Sequence, residues 1–187
     1  MLLKRFVGQC ADLFSIQTQR FICIMALSLA FPFLQGCSRA PSSETEIVGS
    51  ARFTAQVREA MTLLKTRDAD AYTIVTNYVG RIEEGKISGM WAYKNPPTYE
   101  MSDLTAFSSV TWCAATIAHD SFHSKLYHDY LKAHGHVPDD VWTGIAAEQQ
   151  CMKHQLAVME HIGATKWEID YAKTQADGHY ADEKRTW

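Results

Sequence analysis

Apolar residues recur at three- and four-residue spacing through four stretches of this chain, and that period leaves room for little but a mainly helical fold. Phe53, Val57, Ala60, Met61 and Leu64 make the first stretch, and Tyr72, Val75, Tyr78, Val79 and Ile82 the second. A third runs from Val110 to Leu131. A fourth runs from about Asp140 to Ile162, opened by Pro138-Asp139-Asp140 and closed by Gly163. Between the second and third, Gly85 and Gly89 break the pattern, and Met90 to Met101, with Asn95-Pro96-Pro97 at its centre, reads as extended chain around a turn. The expected fold class is therefore mainly α (α+β): a helical domain over 51–187 with a short β-hairpin or edge strand ahead of the third helix. No internal repeat is apparent.

A different pattern precedes this domain. Residues 21 to 34 form an uncharged apolar run preceded by Lys4, Arg5 and Arg20. The run is shorter than the roughly 20 residues that span a membrane, and its layout is that of a secretory signal. Leu34-Gln35-Gly36-Cys37 resembles the bacterial lipobox, in which a small residue precedes a cysteine that is lipidated and becomes the new N-terminus. The resemblance implies a signal peptide over 1–36 and a lipid on Cys37 that anchors the protein to the membrane. A signal-anchor helix is the alternative, against which the shortness of the run and Pro32 both count. Ser38 stands where lipoproteins kept in the inner membrane often carry Asp, so the same resemblance implies the outer membrane, facing the periplasm. Residues 37–50, polar and proline-containing at the start, are expected to be a flexible tether.

Charge narrows the partners. Charged residues make up 21% of the chain and the formal net charge is -3, with neither a basic stripe nor an acidic tail, so nucleic acid is not an expected partner.

All eight histidines lie between His119 and His179. The sharpest pattern is His119-Asp120-Ser121-Phe122-His123. At i and i+4 the two imidazoles project about 40° apart on one face of a helix, a turn above each other, which lets them share a tetrahedral zinc ion. Trp112, Ala115, Thr116, Phe122, Leu126 and Tyr130 surround that face, so the pair needs polar partners. Glu148 is the expected third ligand. Ile145, Cys151, Met152, Met159 and Ile162 flank it at helical spacing, and a lone carboxylate in that seam is costly. A turn over His134 to Asp139 would set the two helices antiparallel. Two histidines, one glutamate and a water form a ligand set used by catalytic zinc.

These residues resemble the zincin metallopeptidases of the gluzincin type, whose signature is His-Glu-x-x-His on one helix with a glutamate ligand on the next. The likeness covers roughly residues 85 to 165. It implies a zincin-like fold, zinc as cofactor, His119, His123 and Glu148 as ligands, Asp120 as the general base, and a peptide or protein substrate. Two positions depart from the pattern. Asp120 replaces glutamate and withdraws the carboxylate by about 1.5 Å. Met152 stands where many gluzincins place an aspartate that supports a histidine ligand, so that support must come from elsewhere. His154, His161, Tyr127 and His179 are available to stabilise an oxyanion, and spacing selects none of them. A non-catalytic lipoprotein, with a structural zinc site or a helical surface for a partner, is the other reading. An HD phosphohydrolase would need a histidine ligand before His119, and there is none.

The remaining residues divide between surface and core. His128, His134 and His136 read as solvated groups near a helix end, and Asp177-Gly178-His179 as an exposed turn. Trp112, Trp142 and Trp167 read as core or rim. Cys113 and Cys151 are a candidate disulfide clamping the two ligand-bearing helices, as expected of a thiol pair in an exported domain, with two independent buried thiols as the alternative.

Overall fold

The computed structural model describes residues 44–180, with side chains to residue 175. Cys37, the expected signal peptide and most of the expected tether lie outside the described residues. Among the described residues no helix is long and apolar enough to cross a membrane.

The chain begins with a strand, β1 (Glu46–Val48), followed by α1 (Ala51–Arg67) and α2 (Ala69–Tyr78). Ser50 caps α1 by accepting a hydrogen bond from the Phe53 amide at 3.2 Å, filling one of the vacancies every helix start has. The amide of Ser50 in turn donates to Glu84 at 2.5 Å. Thr45 is buried and its hydroxyl donates to the Val79 carbonyl at 3.0 Å. Residues 45–50 are thus part of the fold, and the expected tether is shorter at its C-terminal end. On α1 the spacing works as expected: Phe53, Val57, Ala60 and Leu64 are all fully buried.

The second periodic stretch divides. Its helix stops at Tyr78, Val79 turns extended, and Ile82 falls on β2 (Arg81–Gly85), fully buried with charged neighbours on either side. Then come β3 (Gly89–Trp91), a turn containing a cis Asn95–Pro96 bond, and β4 (Thr98–Ser102). The expected hairpin is β3 with β4, antiparallel, Met90 opposite Tyr99. The sheet is larger than a hairpin, with order β1-β2-β4-β3. β2 runs parallel to both β1 and β4, with Ile82 beside Ile47 and Tyr99. Parallel neighbours need a crossover, which α1 and α2 supply between β1 and β2. β3 is left as an edge strand, paired on one side only.

After the short α3 (Asp103–Ala106) comes the long central helix α4 (Val110–His134), which packs on α1, α2 and β3. Gly135 ends it in the left-handed region at φ 79°, the backbone most open to glycine. The fourth periodic stretch is two helices, α5 (Asp140–Thr143) and α6 (Ile145–Ile162), broken at Gly144. A Cβ at Gly144 would meet the Asp140 carbonyl oxygen at 2.8 Å. The last helix, α7 (Lys166–Tyr180), was not expected, and its backbone runs through Asp177-Gly178-His179, so no turn forms there. Sheet and helices share one core, from Ile82, Tyr99 and Met101 to Val75, Ile117 and Met159. The architecture is mainly α with a small sheet.

Candidate metal centre

α4 and α6 pack along their length, and the expected ligands meet at that contact. The Nε2 atoms of His119 and His123 are 3.0 Å apart. Glu148 reaches both, one oxygen 3.4 Å from His119 and the other 3.4 Å from His123. His123 and Glu148 are only 7% and 8% exposed. Two imidazole lone pairs and a carboxylate so close repel unless a proton or a cation lies among them. Zinc bonds of 2.0–2.1 Å in a tetrahedron set ligand atoms about 3.4 Å apart, so the spacing suits a shared ion.

The orientation of His123 is fixed from behind. Its Nδ1 donates to the Trp142 carbonyl at 2.5 Å, which turns Nε2 toward the cluster. The break between α5 and α6 that places Trp142 there thus supplies the support that Met152 cannot. His119 has no such partner, and its Nδ1 is buried without a hydrogen bond.

Electrostatics agree that this point attracts positive charge. Burial pushes the Glu148 carboxyl up, but hydrogen bonding to His119 and His123 outweighs it and holds the pKa well below the usual range. Burial pushes His123 down, yet hydrogen bonding with Cys151 and Glu148 leaves it well above its ordinary value. Asp120 is different: burial dominates and raises its pKa despite the two histidines. Tyr99 sits beside Asp120 and Thr116, and its buried hydroxyl makes no hydrogen bond of normal geometry.

Sequence reasoning missed Cys151 as a donor. His119, His123 and Cys151 form a group that could hold a metal ion, their ligand atoms all within 4.8 Å of one another. The expected disulfide does not form. Cys113 and Cys151 are both free and buried, and Cys113 lies against Met101, 3.8 Å from sulfur to sulfur. The helix explains why: the six residues from Cys113 to His119 turn the chain about 600°, placing the two side chains about 120° apart. The three residues from Glu148 to Cys151 separate their side chains by only about 60°, so both face α4.

The cluster opens on a cavity of about 640 Å³ lined by His119, Asp120, His123 and Glu148, with Gly89, Met90 and Trp91 of the β3 edge strand along it. Trp112, Trp142 and Gln155 also line it, and among the described residues no lysine or arginine does. Gln155 is buried on the same stripe of α6 as Met152 and Met159. Its signal was legible as a polar residue on an apolar face. Of the four oxyanion candidates, the three whose side chains are described are not gathered here. His154 packs against Phe122 with ring centroids 4.8 Å apart, His161 pairs with Asp68 at 2.7 Å, Tyr127 stands edge-on to Trp142, and the His179 side chain lies outside the described residues. His134 and His136 are exposed as expected, while the His128 Nε2 is buried without a partner. Trp142 is buried, and Trp167 is 71% exposed, on the rim.

Comparison with known proteins found no family model, no curated protein and no solved structure that matches the chain.

Proposed function

We propose that this chain is a zinc-dependent, metallopeptidase-like hydrolase of the bacterial envelope, held by a lipid on Cys37 at the outer membrane facing the periplasm and acting on peptide bonds. The observation that carries the reading is the convergence of His119, His123 and Glu148, with Asp120 beside them, on the wall of a cavity bordered by an unpaired strand edge. An extended peptide can add to such an edge through main-chain hydrogen bonds, which presents its carbonyls to neighbouring groups with little dependence on sequence. Zinc, when bound, supplies Lewis acidity toward a carbonyl and a more acidic water.

The remaining work falls to the chain. Glu148 and the two imidazoles hold the ion, and the Trp142 carbonyl keeps His123 turned toward it. Asp120, next to His119 in sequence and on the same cavity wall, takes the proton from water as general base.

One observation favours a second reading, a structural zinc site in a non-catalytic lipoprotein. Cys151 offers a fourth donor, and four protein ligands are typical of structural zinc. Asp120→Ala separates the two. In the enzyme it keeps zinc and loses cleavage of a mixed peptide library; equal behaviour of variant and parent with every peptide tried refutes the catalytic reading.

A further inference from the structure

The geometry points to Cys151 as a ligand of the same metal ion, which is then held by two imidazoles from α4 and by a carboxylate and a thiolate from α6. This rests on the metal site proposed above and changes its chemistry, because the gluzincin pattern has no sulfur donor. Cys151 is fully buried and belongs to the three-residue group whose ligand atoms lie within 4.8 Å of one another. The other described thiol, Cys113, is turned toward Met101 instead. Only one cysteine of the domain is aimed at the histidines.

The two α6 donors approach from different sides. Glu148 lines the cavity, and Cys151 does not. The thiol therefore reaches the ion from the core, and Glu148 is the donor exposed to exchange with water or substrate. On coordination the S–H bond breaks, the sulfur pair goes to the metal, and the proton leaves to solvent. No oxidation is involved. A thiolate beside two imidazoles selects a soft or borderline ion such as zinc, and it disfavours magnesium, calcium and manganese, which want oxygen.

X-ray absorption on the full-length protein loaded with one zinc per chain tests this. The expected spectrum has one sulfur at about 2.3 Å, with nitrogen and oxygen at about 2.0–2.1 Å. Cys113→Ser keeps that sulfur, and Cys151→Ser loses it and binds zinc at least about tenfold more weakly. Should Cys151→Ser fail to fold, Cys113→Ser carries the test alone: Cys151 is then the one thiol among the described residues, so the sulfur at about 2.3 Å is expected to remain, and its loss overturns the assignment. Stoichiometric zinc with only nitrogen and oxygen neighbours, or a sulfur that survives in Cys151→Ser, overturns the assignment and leaves the His119, His123, Glu148 site standing. A chain that takes up no zinc removes the site itself.

Discussion

His123 donates from Nδ1 to the carbonyl of Trp142 at 2.5 Å, and that single bond turns its Nε2 toward His119 and Glu148. A backbone carbonyl at the α5–α6 break thus supports His123, where Met152 on α6 offers no acidic side chain to do so. Replacing the imidazole removes both ends of this link. His123→Ala is expected to weaken zinc binding by at least about 100-fold, and Glu148→Gln by about 10- to 100-fold, by competition with a chromogenic chelator. Affinities within a factor of two of the parent for both variants would mean that the cluster is not where zinc binds.

Much of the fold could be read from the chain because helices announce themselves through period. Phe53 to Leu64 needed no tertiary information to be placed on one face. The sheet was harder for a physical reason. β1 is Glu46-Ile47-Val48, three residues in a polar stretch, and β2 buries only Ile82 fully, among Arg81, Glu83 and Glu84. Register against neighbours makes these strands, and no local alternation reports it. In α7, Gly178 carries a turn signal, yet the backbone there stays helical.

The site was legible where charge stood on an apolar stripe, as for His119, His123 and Glu148. Cys151 escaped because a thiol looks like any small core residue, and whether it faces another cysteine or an ion is not written in its spacing. The answer depends on helix rotation. A non-reducing peptide map of the folded protein is expected to contain no Cys113–Cys151 linkage. Both thiols should resist alkylation until denaturant is added, Cys113 with a pKa pushed up to about 12 by burial. A linked peptide in fully oxidised material would show that α4 and α6 are rotated from the arrangement described.

Glu168 fastens α7 to the start of α4. It accepts hydrogen bonds from Ser109, from Thr111 at 2.6 Å, and from the Thr165 amide at 2.7 Å. Burial raises its pKa, but these donors prevail and bring it from an ordinary 4.5 to about 2. A carboxyl depressed in the folded state adds stability above its unfolded pKa, and that stability is lost as pH falls toward the folded one. Glu168→Gln should therefore cost about 1–3 kcal/mol at pH 7, with the gap to the parent narrowing between pH 4.5 and 2. Urea midpoints across that range check it, and a gap that stays constant with pH would assign the loss to packing alone.

Tyr99 offers a contrasting case. Its hydroxyl is buried without a hydrogen bond of normal geometry, so Tyr99→Phe removes a desolvated polar group and little else. Stability is expected to change by less than about 1 kcal/mol, with zinc affinity unchanged. A loss above about 2 kcal/mol in thermal unfolding would reveal a bond that the hydroxyl makes in solution.

The metal content of protein purified without added metal tests most directly the proposed zinc site between α4 and α6. The expected result is about one zinc per chain in the parent and a nearly complete loss in His119→Ala. Less than about 0.2 zinc per chain, unchanged by His119→Ala, would contradict it.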